Sequence, residues 1–387
     1  MKNLYRAARK AGIGLLRSLI PIAYGVPFQK GRRISAKDVK APKRILLLNG
    51  AHIGDVVIAT SLLPILRAAY PDAEVGFATA SWSQMVIRNH PDIRYTHCID
   101  HWRYNRGTDN IQHKKRHYQE TLRRAMQEIK DLHYDVAISL FTHHPDFLDV
   151  AWSARIPVRI GFSKSIFAGL ATDVVVDPDS PFVPQGARLA ATLRVLPIEE
   201  ELFSLRRSTL PPSNPAAEAE VYAVLGVSSL KDIHYRIIHM GTGAAQRELD
   251  PWFWRELAEK LRRGHRVLFT GHGAREHQKI EQVIHGLGNC VNACNVLSWE
   301  GFVAAVRHAE VLYGVESMAG HVAGAVGTKC VVVYGGTAGV GRWRPEGNGS
   351  LVMTNHVPCA PCLRVEGCAA MHCMKNIRPD DLVNLHV

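Results

Sequence analysis

No apolar run in the 387-residue chain is long enough to cross a bilayer, which argues against a transmembrane helix. A secretory signal is also missing: the first apolar stretch is broken by Arg17, and no small-residue cleavage site follows it. The body has almost no net charge. Residues 1–44 carry twelve Lys/Arg against the single acid Asp38, whereas the remaining 343 residues hold 35 basic and 34 acidic side chains. A body so balanced does not suggest a nucleic-acid-binding domain, so no nucleic-acid partner is expected. The fingerprint Gly-x-Gly-x-x-Gly does not follow the first strand-like run, which weighs against a dinucleotide-dependent oxidoreductase. No short-period repeat is present.

The basic charge is concentrated in an extension, residues 1–42. On a period of 3.6 residues, Leu4, Tyr5, Ala8, Ala11, Leu15, Leu16 and Leu19 share one face, and Lys2, Arg6, Arg9, Lys10 and Arg17 share the other. Pro21 limits the helix. The pattern predicts an interfacial helix over residues 1–20 lying on an anionic membrane surface. The alternatives are a solvated basic arm and a helix packed on the protein's own body.

Beyond the extension, strand-like and helical runs alternate, which predicts an α/β protein with mostly parallel sheets. The first unit is the most informative. Arg44–Leu48 reads as a buried strand, Asn49-Gly-Ala-His-Ile-Gly54 as a tight loop, and Val56–Ala69 as an amphipathic helix. Asp55 stands at the helix start. It either caps the helix or acts as an acid–base group at the C-terminal end of a strand, where open α/β sheets place ligands. The His-rich basic segment 101–117 reads as a loop at the sheet edge, either solvated or facing an anionic acceptor. Proline clustering in residues 208–215 marks a linker. The expected division is 1–42 extension, 43–210 first Rossmann-like domain and 211–387 second, with the site in a cleft between the two domains.

In the second half, Tyr235–Met240 runs into Gly241-Thr-Gly243, with Arg247 four residues on. Small residues after a strand let backbone N–H groups and the Thr242 hydroxyl approach a phosphate, and Arg247 adds a charge suited to bidentate contact. After strand Val311–Tyr313, the segment Gly314–Gly327 is dense in Gly and Ala around Glu316, Ser317 and His321. It fits a helix N-terminus offering donors to an anion; close helix packing and a satisfied core histidine explain it equally well.

These motifs carry a resemblance. The loop Gly50–Asp55 continued to Pro64, the stretch Ala69–Val75, the element Glu316–Lys329, and Tyr334–Thr337 before Arg342-Trp343 resemble, in order, the sequences of glycosyltransferase family 9, the ADP-heptose:lipopolysaccharide heptosyltransferases. The resemblance covers residues 43 to about 377 and omits the extension. It implies a GT-B type α/β fold: two Rossmann-like domains facing a central cleft, acceptor on the first and nucleotide-sugar on the second. It implies that Asp55 is the catalytic base, that Thr242 and Gly243 form the first phosphate loop, and that Arg247 is the phosphate-binding cation. It makes Glu276 an acid contacting the nucleoside, and it sets Glu316, Ser317, Gly320 and His321 in the family's Asp-Thr-Gly-x-x-His element. Glu316 replaces the commoner Asp, and Met318 stands where Gly is usual, which puts the donor's identity in question.

Four cysteines cluster as Cys359, Cys362, Cys368 and Cys373. Four thiolates suit a structural zinc or iron site; two disulfides and free thiols are the alternatives. A similar tail occurs in a number of family 9 sequences, and no metal is required for catalysis. Cys98, Cys290, Cys294 and Cys330 read as ordinary or buried thiols. The expected activity is inverting transfer of a sugar from ADP-heptose to a lipid-linked or lipopolysaccharide-type acceptor, by a cytoplasmic protein at the inner face of the inner membrane. The rivals are a different nucleotide-sugar donor and a non-catalytic, membrane-recruited nucleotide-sugar-binding protein.

Overall fold

The structure, a computed structural model, describes residues 19–24, 34–141, 146–177, 180–229, 233–337, 339–362, 364 and 366–385. The whole basic face expected in residues 1–20 therefore lies outside the described residues. Among the described residues no helix is long and apolar enough to cross a membrane. The chain divides into two compact units, residues 1–179 with 186–206, and residues 180–185 with 207–387.

The first unit is built on six parallel strands: β1 (Arg44–Leu48), β2 (Glu74–Thr79), β3 (Tyr95–Cys98), β4 (Val136–Ser139), β5 (Val158–Phe162) and β6 (Asp173–Val175). Their order is β3-β2-β1-β4-β5-β6. The central strands are apolar throughout because both faces are covered by helices. Leu46 and Leu48 of β1 pack with Ala78, Ala125, Ile129 and Phe147. The helix expected over Val56–Ala69 is broken in two, Ile53–Ala59 and Leu63–Ala69, with a 3-10 turn over Thr60–Leu62. Pro64 has no N–H to continue the first helix, and it sits at the start of the second, where none is needed.

The second unit repeats the arrangement with β7 (Tyr235–His239), β8 (Arg266–Thr270), β9 (Cys290–Asn292), β10 (Val311–Val315), β11 (Lys329–Tyr334) and β12 (Ser350–Thr354). The order β12-β11-β10-β7-β8-β9 is the same doubly wound topology listed from the other edge. Its core joins Ile238, Trp254, Phe269, Val315 and Val333 to the C-terminal residues Met374 and Leu382. Residues 180–185 belong here: Arg342 Nε donates to Gln185 Oε1 at 2.8 Å.

The end of the extension is held by the first unit. Ile20 packs with Leu148, Phe167 and Leu170. Pro21 lies so close to Gly169 that a Cβ there would come within 2.3 Å of its ring. For residues 19–24 this matches packing on the protein's own body, although Leu19 and Ile22 stay exposed.

Candidate active site

In each sheet the strand order reverses at one place, between β1 and β4 in the first and between β7 and β10 in the second. Loops leaving the C-terminal ends of two such strands diverge to opposite faces and leave a crevice for a ligand. Asp55 follows β1, the Thr242 loop follows β7, and Glu316 follows β10 directly.

The β1 loop is held rigidly. The Ala51 carbonyl accepts from Trp82 Nε1 at 3.1 Å and from Ser83 Oγ at 3.2 Å. Gly50 lies against the Phe147 ring, where a Cβ would be 2.3 Å from Cε2. Asp55 is half-buried in the first turn of the helix Ile53–Ala59, and its Oδ2 accepts the His52 N–H at 3.3 Å. The rings of His52 and Tyr104 meet edge-on at 5.6 Å. Burial, with the Arg106 guanidinium, pushes the His52 imidazole down to about 4. Burial, with the Asp55 carboxylate and against Arg103, pushes the Tyr104 phenol up to about 12. Both neighbours are thus neutral near pH 7. The sequence gives little sign of Tyr104; its only signal is an aromatic among the charges of residues 101–117.

That basic segment is less solvated than a surface loop. From Ile111 it is already helix, capped by Asn110 Oδ1, which accepts the His113 N–H at 2.9 Å. His101 is buried and stacks on Trp102 at 5.5 Å. Arg103 and Lys115 both lie over the Trp102 ring, at 5.3 and 5.2 Å. The buried Asp100 carboxylate is 2.7 Å from His117 Nε2.

In the second unit a helix spans Met318–Val326, so Ser317 occupies its cap position. Four sequence-predicted residues come together here. Thr242 Oγ1 donates to the Glu316 carbonyl at 3.0 Å, and Arg247 Nη1 lies 2.9 Å from Glu316 Oε1. Among the described residues, Glu316 Oε2, Ser317 Oγ and Arg247 Nε are buried with no hydrogen-bond partner, as is Thr337 Oγ1 in the loop after β11. Orphaned polar atoms of this kind cost free energy unless a ligand or water satisfies them. Burial raises the Glu316 pKa, with Arg247 opposing. Thr337 was visible in sequence only as part of the Tyr334–Thr337 motif.

The other predicted residues take different places. Glu276 reaches the β7 loop: a Cβ on Gly241 would be 2.6 Å from its Oε1, and its Oε2 accepts the His272 N–H at 3.0 Å. His321 is half-buried, and burial pushes its imidazole down to about 4. Gly243 is exposed. A Cβ on Gly320 would be 2.9 Å from Pro345 Cγ and 3.0 Å from Val332 Cγ2, so close packing alone accounts for this glycine.

A model described as glycosyltransferase family 9 (heptosyltransferase) matches residues 122–372. The chain belongs to that family. It is thus an inverting glycosyltransferase, α/β and of GT-B type. Lipopolysaccharide heptosyltransferase 2 of Salmonella typhimurium is 23% identical over 303 residues, 76% of this chain and 82% of that protein. A family 9 glycosyltransferase from Veillonella parvula superposes with a TM-score of 0.73 at 16% identity, covering 90% of this chain and 97% of the other. The ADP-heptose lps heptosyltransferase II of E. coli gives 0.68 at 17% identity, covering 87% and 95%. The E. coli heptosyltransferase WaaC, solved with ADP-2-deoxy-2-fluoro heptose, gives 0.60 at 15% identity, covering 81% and 93%.

The family 9 chain keeps all four clustered cysteines as free thiols. With His372, Gly336 and Thr337 they line one cavity of about 440 Å³. Among the described residues no three His, Cys, Asp or Glu side chains gather as a metal-ligand set.

Proposed function

We propose that this family 9 enzyme transfers a heptose from ADP-heptose to a lipopolysaccharide-type acceptor, with Asp55 as the general base and the Thr242–Arg247 and Glu316–Ser317 loops binding the donor diphosphate. The observation that carries the reading is the set of orphaned buried atoms at the switch point of the second sheet, Arg247 Nε, Ser317 Oγ and Glu316 Oε2, with Thr337 Oγ1 in the loop after the neighbouring strand β11. A nucleotide-sugar leaves as a diphosphate. An arginine, a hydroxyl and the N-terminus of the nine-residue helix Met318–Val326 together offer the donors such a group takes.

The chemistry follows from one carboxylate. The acceptor hydroxyl oxygen attacks the anomeric carbon as Asp55 removes its proton. The bond from that carbon to the phosphate oxygen breaks, and its electron pair leaves on the diphosphate. One displacement inverts the configuration and needs no second carboxylate. Asp55 is the carboxylate of the β1 loop and first helical turn, and on this reading it accepts the proton.

The donor sugar and acceptor rest on similarity: one structural neighbour was solved with an ADP-heptose analogue, and the curated relative is a lipopolysaccharide heptosyltransferase. Residues 1–20, with their basic face, suit an enzyme working at the inner face of a membrane on such an acceptor. Met318, half-buried at the first turn of the donor helix, favours testing other donors alongside. A thermal-shift screen of ADP-heptose, other nucleotide-sugars and NAD, followed by turnover assays of each hit, decides among them. Stabilisation and transfer with ADP-heptose support the proposal; stabilisation by NAD alone would overturn it.

A further inference from the structure

The Arg247–Glu316 pair raises a question of charge. If Arg247 and Ser317 bind the donor diphosphate, the anion arrives beside a carboxylate that already holds Arg247 at 2.9 Å. Glu316 cannot easily withdraw. Its N–H donates to the Val333 carbonyl at 3.0 Å, and its own carbonyl accepts from Thr242 Oγ1 at 3.0 Å, so its backbone is tied to β11 and to the β7 loop. Its side chain is 9% exposed. One oxygen, Oε1, faces Arg247; the other, Oε2, is buried without a donor. As a carboxylate oxygen, Oε2 has nothing to accept from. As the O–H of a carboxylic acid, it would have a proton to give to an incoming phosphate oxygen.

The other groups around Glu316 do not supply that proton or that charge. Tyr334 of β11 is fully buried and its hydroxyl donates to the Trp343 carbonyl at 2.5 Å. Burial and the Glu316 carboxylate both hold its phenol protonated. His321, in the helix that follows, is neutral well below pH 7. Arg247 is the remaining charge, and it cannot be deprotonated. Two anions sharing one cation in a buried site drive the protonation of whichever is the more basic; the diphosphate of a nucleotide-sugar is esterified at both ends and has no weakly acidic position left, so the carboxylate takes the proton. Burial has already moved Glu316 in that direction.

We propose that Glu316 binds the donor diphosphate as a neutral carboxylic acid, taking one proton from solvent when the anion arrives and returning it when the anion leaves. This rests on the reading of Arg247 and Ser317 as the diphosphate site.

The test is calorimetric titration of the full chain with ADP-heptose, whose diphosphate carries no weakly acidic group, alongside ADP, in two buffers of different ionisation enthalpy, above about pH 7.5. Uptake approaching one proton per nucleotide is expected, together with an affinity that falls up to about tenfold per pH unit. Glu316→Gln, which keeps the shape and offers an N–H donor in place of the acid O–H, should bind nucleotide with no linked proton and little pH dependence. Zero proton uptake by the unaltered protein overturns the proposal without recourse to any variant; so does a Gln variant with the same pH slope. The underlying site fails separately: ADP affinity unchanged in Arg247→Ala and Ser317→Ala, or no ADP binding at all, removes the site and the proposal together.

Discussion

Asp55 Oδ2 accepts the backbone N–H of His52 at 3.3 Å, so the carboxylate proposed as a base also caps its own helix. The two roles separate on substitution. Asp55→Asn keeps an oxygen for the His52 N–H and loses the proton acceptor. Transfer should fall by about 10²–10⁴-fold with unchanged ADP affinity and a melting temperature close to that of the unaltered protein. Asp55→Ala should lose the same activity and a further ~1 kcal/mol of stability. Transfer assays and thermal unfolding check both; near-full turnover by Asp55→Asn would remove Asp55 from the chemistry.

Gly320 separates packing from binding. Its Cβ position lies 2.9 Å from Pro345 Cγ and 3.0 Å from Val332 Cγ2. Gly320→Ala should therefore destabilise the second unit by about 1–3 kcal/mol. Nucleotide affinity, measured on the folded fraction, should stay near that of the unaltered protein. An unchanged melting temperature with lost affinity would place Gly320 among the donor contacts.

His239 makes a prediction about acid. It is buried at the end of β7, with Nδ1 2.9 Å from Thr270 Oγ1, and burial pushes its pKa down to about 4. The unfolded chain, with a histidine pKa of about 6.5, takes up the proton first as pH falls. The contribution of this histidine to stability is complete above about pH 6.5 and is lost as pH drops towards 4, by up to ~1.4 kcal/mol per unit. Urea unfolding at stepped pH should show that loss, and His239→Asn should reduce the slope.

The cysteine cluster is testable by labelling. Cys359 and Cys368 are exposed, Cys362 is partly covered and Cys373 is buried. A thiol reagent should modify Cys359 and Cys368 first and Cys373 only on unfolding. Uniform protection of all four, with zinc or iron released when they are modified, would show a metal closing the cluster.

Sequence reading reaches the central strands and the edge strand β6, whose Val174–Val176 run is apolar, but misses the edges β3, β9 and β12, for a physical reason. β1 and β10 are covered on both faces and read as unbroken apolar runs. The edge strands β3, β9 and β12 are mostly half-exposed, carry mixed residues and leave no such run. The helix Pro215–Leu225 was missed because alanines and valines spread around it give no clear stripe. In the site, Asp55, Arg247, Glu316 and Ser317 were each legible from what precedes them in the chain. The contact between Arg247 and Glu316 was not, since it is made by two loops far apart in sequence and set side by side by the pairing of β7 with β10.

Ile20 and Pro21 are seated on the first unit, which makes them the fixed end of a leash. A surface that held the basic residues preceding that seat would therefore tether the unit carrying Asp55, not the one carrying Glu316, and its pull would act first on the acid proposed as the base.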